Sequence, residues 1–420
     1  MGPGAVTLHP VKTLVVAELY PWPALDGYRR RLDHVVTGLA SVGEVHVLAP
    51  LRQGDTAPAG PPLPNVTGAT VPTAPDRGPR SWLGEWVRGP VPRRLLGVDW
   101  SGPVAALRSM DLTEFDLVWC SHVDTWWAVK DALGDRPVVV DFDNLEHLAL
   151  KLRRRIPPRN APDAGPKEVA STLVRWTTSR AFDLVDERRW DRLQRECASK
   201  VSTVVVCSEL DAERSGVPNV AVVPNGAVAP AQVDADRTSL RGDHPVLNFV
   251  GALDYEPNTE AVEWLVREVV PVLRAERPDA VVRIVGRGGD RVAWVAGVPG
   301  VELVGEVDDV TDELAMADVS VVPIKVGAGT RLKVVEALAH HLPIVTTTVG
   351  CEGIDVRNGA TALVEDDAVA FAGACARLCE DGALRQRLAD AGAALFEQRY
   401  TWASIERRIG DLATATANAG

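Results

Sequence analysis

Apart from tryptophan the chain is poor in aromatics, with six Phe and four Tyr among 420 residues beside twelve Trp. It lacks any apolar run of the roughly 18 residues that a spanning helix needs, which argues against a transmembrane segment. It lacks a basic excess: 45 Lys and Arg face 57 Asp and Glu, a net charge of −12. Such a chain has no broad cationic surface with which to neutralise nucleic-acid phosphates. The six cysteines lack metal-ligand spacing, and Cys375 and Cys379, four apart in a helical pattern, read as a buried apolar pair. Reduced thiols are expected. Met1–Val11 shows no basic stretch followed by an apolar one, so no secretory signal is read and a cytoplasmic location is expected. Peripheral membrane contact stays open, because Arg29–Arg31, or Arg93 and Arg94 beside a Trp-rich segment, could touch lipid or be solvated charge.

What is present is a long alternation of short apolar runs and helical patterns. At 420 residues, 46% hydrophobic and 24% charged, the chain is globular and too long for one core, so two domains of about 200 residues are expected. Thr13–Ala17, a turn at Asp26-Gly27-Tyr28, a helical pattern and Val45–Leu48 open a parallel sheet. From Arg52 to about Pro92 the composition shifts to Pro, Gly, Ala and Thr, which reads as a functional loop or a poorly ordered segment. Further strands are read at Asp116–Cys120, Pro137–Val140, Val201–Val206 and Val220–Val223. Leu148–Arg180 reads as a mobile loop and Phe182–Cys197 as a helix. Ala227–Asp243 has the composition of a linker, and the domain boundary is placed near residue 235. Beyond it the alternation is more regular, with strands at Val246–Val250, Val281–Val285, Val301–Val304, Val319–Val322, Ile344–Thr347 and Ala362–Val364. The fold class is α/β, two Rossmann-like parallel-sheet domains facing a cleft: residues 1–235, residues 236–400, and a last helix over 401–420.

One stretch carries chemistry more plainly than the rest. After Val319–Pro323 the chain runs Gly327-Ala-Gly329-Thr330-Arg331-Leu-Lys333-Val-Val-Glu336-Ala and enters a helix. Glycines at a helix head leave N–H groups where partial positive charge gathers, a setting for an anion. Arg331 and Lys333 add cations at the end where a helix disfavours them, so a polyanion such as a diphosphate is the functional reading. An ordinary β-α turn with two solvated cations is the alternative.

Gly251-Ala-Leu-Asp254, Pro257-Asn258, Gly305-Glu306-Val307, the glycine loop with Glu336-Ala337, and Gly350-Cys-Glu-Gly353 together resemble the second domain of the family 4 glycosyltransferases. These are retaining enzymes of the two-Rossmann B-type fold (GT-B), and the narrower likeness is to the branch with a G-x-G-T-R-x-K-x-x-E-A motif. The resemblance covers Val246–Tyr400 and, more loosely, Val140–Glu146, Val206–Ser208 and Pro224-Asn225-Gly226. It implies a nucleoside-diphosphate sugar as donor co-substrate, with no metal and no other cofactor. Glu336 would hold the ribose hydroxyls, since a carboxylate can accept from both members of a vicinal diol. Gly305 and Val307 would edge the base. Arg331 and Lys333, with the N–H groups of Gly329 and Thr330, would take the diphosphate beside Gly251. The last helix would cross back onto the first domain. Two departures stand out. Ala328 occupies the place of a sugar-contacting glutamate, for which Glu352 is a candidate substitute. Ala252-Leu253 and Pro257-Asn258 occupy places where an Arg and a Lys are common, so Arg331 and Lys333 would compensate from the other side.

In the first domain the resemblance places Gly27 near the diphosphate and acceptor. His122, after a strand, is a candidate contact to sugar or acceptor, or a satisfied loop residue. Asp141-Phe-Asp143 ends a strand, and Asp143 is an acceptor-side candidate or a helix cap. Trp126 or Trp127 would line an acceptor pocket or pack in the core. The expectation is a retaining transferase that passes a sugar to a hydroxyl, or another nucleophile, of a glycan, lipid-linked or small-molecule acceptor. A nucleotide-sugar epimerase of the same fold, a non-catalytic sugar- or nucleotide-binding partner, and an exported sugar-binding protein are the other classes consistent with the alternation.

Overall fold

A computed structural model describes residues 9–24, 26–51, 60–158, 165–327 and 329–419. It divides into two compact units. The first takes the chain up to Lys151, Arg175–Val223 and the residues from Ala403 on; the second takes Leu152–Val174 and Pro224–Trp402.

The first unit is built on seven strands: β1 Thr13–Val16, β2 Val45–Leu51, β3 Val66–Pro72, β4 Leu117–Cys120, β5 Val138–Asp141, β6 Thr203–Val206 and β7 Val220–Val222. All pair in parallel, in the order β3-β2-β1-β4-β5-β6-β7. β1, β4 and β5 are buried along their whole length, as expected where helices cover both faces of a parallel sheet. The second unit repeats the plan with β8 Val246–Val250, β9 Val281–Val285, β10 Val301–Gly305, β11 Val319–Val322, β12 Ile344–Thr346 and β13 Leu363–Val364. The order is β10-β9-β8-β11-β12-β13, again parallel. In both sheets the order reverses once, between β1 and β4 and between β8 and β11. Loops leaving adjacent strands diverge there and open a crevice at the carboxyl ends, the usual place for a ligand in such sheets.

Two segments read as loops are structured. Within Arg52–Pro92, β3 pairs with the whole of β2, and Pro79–Arg88 forms a helix; residues 52–59 lie outside the described part. β3 is an edge strand with only Val66 buried, so it needs no apolar alternation and left none in the sequence. Within Leu148–Arg180, a helix covers Glu146–Arg153 and another runs Pro166–Lys200. The latter has few buried positions in its first half and therefore no clear apolar period. The composition read as a linker is strapped to the second unit. Buried Arg237 donates to the carbonyls of Ala317, His340 and His341 at 3.2, 2.9 and 2.9 Å. Arg385 donates to those of Arg237 and Thr238 at 2.9 Å each. From Ala403 on, the helix Trp402–Ala419 packs in the first unit against the helix Gly27–Ala40. Among the described residues no helix is long and apolar enough to cross a membrane.

Candidate functional site

In the second unit the residues of the glycine loop meet the end of β8 at the switch point. The helix Leu332–Ala339 has no side chain capping its first turn; the N–H groups of Leu332 and Val334 donate to the carbonyls of Thr330 and Arg331 at 3.0 and 2.9 Å, and the positive end of the helix faces the loop. Lys333 reaches sideways to β8. Its Nζ lies 2.7 Å from Oδ1 of Asn258 and 4.3 Å from the centre of the Phe249 ring. A Cβ added at Gly251 would stand 2.8 Å from that Nζ, so the glycine leaves the room the ammonium uses. Withdrawal from water, reinforced by Arg331 and partly offset by Glu336, pushes the Lys333 ammonium down to about 7. Glu336 follows one turn later on the same helix.

Arg331 turns back on its own loop. Its guanidinium is buried and donates to three backbone carbonyls: Val349 at 3.0 Å, Gly329 at 3.2 Å and Gly327 at 3.0 Å. It binds the glycine loop to the turn after β12. Thr330 Oγ1 accepts from the Asn225 amide at 3.0 Å, which gives the Pro224-Asn225-Gly226 turn a role in fixing the loop. Gly329 and Gly305 have φ of 83° and 82°, a backbone that side chains disfavour. Gly305 ends β10 at a register shift, and its carbonyl accepts from Gly286 N at 2.7 Å. A Cβ at Gly286 would come within 2.0 Å of the Gly251 carbonyl oxygen, so this turn is a close backbone contact that supports Gly251. The structure thus brings Gly251, Lys333 and Asn258 together. Val307 is half-buried just past Gly305. Ala328 lies outside the described residues.

In the first unit the switch point gathers a denser polar cluster. After β1, the Glu18 N–H meets the hydroxyls of Tyr28 at 3.2 Å and Ser121 at 3.1 Å, which are 2.6 Å from each other. His122, after β4, is buried at the head of the helix Val123–Val129. Its Nδ1 is 2.9 Å from Asp124 and its Nε2 3.5 Å from Glu146. Arg94 spans both carboxylates, at 2.7 Å to Asp124 and 2.9 Å to Glu146, and lies 4.5 Å from the Trp190 ring centre. Burial opposes charge on His122, but Asp124 and then Glu146 outweigh it and hold the imidazole well above its ordinary value. Both ring nitrogens are engaged, and the surrounding carboxylates favour the charged form. Burial likewise raises the Tyr28 phenol. Glu18, His122 and Asp124 come close enough to suggest a cation. Asp124, however, already accepts from Arg94 on both oxygens and meets His122 on one of them as well.

The Asp-x-Asp splits by task. Asp141 is buried in a two-point pair with Arg31, at 2.9 Å on each oxygen, and Arg31 also reaches the Val223 carbonyl. Asp143 is more open, 3.8 Å from Arg31 and 3.4 Å from the Cys207 thiol. Gly27 is exposed in the first turn of its helix, which Asp26 caps through the Arg29 N–H. Trp126 belongs to the core and half-buried Trp127 packs on it. Arg31, Arg93 and Arg94 all sit in ion pairs. Asp124 was not singled out in the sequence, and neither Arg94 nor Tyr28 was read as a site residue. Arg94 lies in the compositionally irregular segment, and no spacing rule links it to residues 30 and 52 positions on.

Residues 244–381 match the family model described as Glycosyl transferases group 1. An uncharacterized 44.6 kDa protein in the cps region of Klebsiella pneumoniae is 25% identical over 133 residues, 30% of this chain. That match spans about a third, 34%, of the relative's length. Among solved structures, sucrose-phosphate synthase from Thermosynechococcus elongatus aligns with a TM-score of 0.66 at 16% identity, covering 97% of this chain and 100% of that one. HepE from Anabaena in complex with UDP aligns at 0.62 and 14% identity, covering 96% and 100%. The chain has the two-domain Rossmann-like fold of GT-B glycosyltransferase structures, and the segment matching the group 1 model contains the whole constellation from Gly251 to Glu336.

Proposed function

We propose that this protein is a retaining, metal-independent glycosyltransferase that moves a sugar from a nucleoside-diphosphate donor to an acceptor hydroxyl. The observation that carries the reading is Lys333. A lysine ammonium crosses the switch point of the second sheet to the end of β8, with an uncapped helix head beside it and a carboxylate one turn away. That set suits a diphosphate joined to a vicinal diol: Lys333 and the positive end of the helix on the phosphates, with the N–H groups of Gly329 and Thr330, and Glu336 on the ribose. Gly305 and Val307 edge the base. Arg331 acts by shaping the loop. As the sugar departs, negative charge grows on the terminal phosphate, and preorganised donors aimed at that charge lower the barrier. Attack on the face from which the phosphate leaves, guided by that phosphate, gives retention. The acceptor belongs to the first unit, with His122, the nearby Glu18, Asp143 and the loop at Gly27 as its candidate contacts. UDP is the first nucleotide to test, because the fold matches HepE solved with UDP and also with UDP-glucose.

The test is thermal stabilisation by UDP, dTDP, GDP and ADP. A ligand at 100 times its Kd should raise stability by about 2.7 kcal/mol, with no change on adding a chelator. A transition that none of the four moves would sink the reading.

A further inference from the structure

We infer that Asn258 is the positioning residue of the donor site: its amide seats Lys333 at the phosphate end and keeps that lysine's charge responsive to the ligand. The inference rests on the donor-site reading above. Asn258 lies in the first turn of the helix Glu256–Trp264 and is buried. Its Nδ2 donates to the Ala252 carbonyl at 2.8 Å, which fixes which end of the amide is oxygen, and Oδ1 then accepts from Lys333 at 2.7 Å. The amide therefore ties the loop after β8 to the helix that carries Lys333. It holds the ammonium by a neutral acceptor, not by a countercharge. The rest of the seat is also uncharged: the Phe249 ring below and Gly251 beside. The charged groups acting on Lys333 are Arg331, which opposes its proton, and Glu336, which favours it.

A lysine held this way loses its proton easily when alone and regains it beside phosphate. With a free value of about 7, Lys333 is mostly neutral at pH 8, where a terminal phosphate is already fully ionised. Binding of a nucleoside diphosphate should then draw close to one proton from the buffer. Had the seat been a carboxylate, the lysine would stay charged and no proton would move. The same carboxylate would compete with the phosphates for the ammonium.

The experiment is calorimetric titration of the full chain with UDP at pH 8 in buffers of different ionisation heat, which yields the number of protons taken up. Wild type should take up close to one. Asn258→Asp should take up well under half and bind at least tenfold more weakly at pH 7. Lys333→Met should bind weakly with no uptake. Gly251→Ala, which puts a methyl 2.8 Å from Nζ, should lose affinity without changing the charge of the seat. Matching melting curves exclude misfolding, and if Asn258→Asp misfolds, wild type against Lys333→Met still decides. Equal uptake in wild type and in Asn258→Asp or Lys333→Met overturns the inference. Binding without uptake in wild type overturns it too, leaving the donor-site reading in place. If wild type binds none of the four nucleotides, the donor-site reading fails and this inference fails with it.

Discussion

Arg331 and Lys333 are two residues apart and carry the same charge, yet they do opposite jobs. The helix start separates them: Arg331 precedes the first turn and folds back on the carbonyls of its own loop, while Lys333 projects from that turn toward β8. Sequence spacing identifies both as cations at a helix head but does not say which way either points. Arg331→Ala should therefore act on stability as well as affinity. Leaving three partly or fully buried carbonyls without this donor costs roughly 1–3 kcal/mol for each that finds no other partner, so a loss of at least about 2 kcal/mol in chemical denaturation is expected. Arg331→Lys should recover little, because one ammonium cannot reproduce the guanidinium's spread of donors. Glu336→Ala is the contrast: weaker nucleotide binding with an unchanged denaturation midpoint. His122 carries a different test. Its folded value lies well above the ordinary 6.5, held there by Asp124 and Glu146 against burial. The stabilisation is thus complete below pH 6.5 and is lost as pH rises through the folded value. His122→Gln should flatten the fall of unfolding free energy on the alkaline side of pH 6.5; an unchanged slope there would mean the imidazolium contributes nothing.

At the scale of elements, legibility followed burial. Strands such as β4 and β5, covered on both faces, appear in the sequence as Leu-Val-Trp-Cys and Val-Val-Val, and both were read with ends off by a residue or so. β3 and the helix Pro79–Arg88 were not, because an edge strand and a surface helix need no continuous apolar code. That helix has no buried residue. Its hold on the long helix is Trp86, which packs at a tilt of 46° against Phe182 with ring centres 4.7 Å apart and donates to Asp186 at 2.7 Å. Arg189 donates to the Trp86 carbonyl at 2.8 Å and lies over its ring. Trp86→Ala should free this element alone. Hydrogen exchange over residues 79–88 is expected to rise by at least tenfold while β4 and β5 stay protected. Uniform deprotection of the first unit would show that the helix is part of its cooperative core.

The whole molecule returns on itself, and small residues make the return possible. The helix Trp402–Ala419 belongs, from Ala403 on, to the unit that the chain left before Pro224. It crosses Gly27–Ala40 at two glycines. A Cβ at Gly38 would stand 2.7 Å from the Glu406 carbonyl oxygen, and one at Gly410 would stand 2.9 Å from Ser41 Oγ. Ile405, Ile409 and Ala413 are buried along this helix, and His34 meets Glu406 at 2.6 Å. The sequence showed the apolar face of the last helix through Ile405, Ile409 and Leu412. The glycine in each partner that lets the backbones approach carried no signal beyond its identity. Bulk at the crossing should consequently damage the first unit and spare the donor site. Gly38→Val, with no room for its Cβ and none for the helix to give, is expected to cost about 2–4 kcal/mol, as overpacking and backbone displacement do. Scanning calorimetry with saturating UDP separates the alternatives. A transition assigned to the first unit should fall in temperature, while the UDP-dependent rise of the second should keep its wild-type size. If the UDP-dependent rise shrinks in step, the last helix supports the donor site as well, and the two units do not unfold as separate bodies.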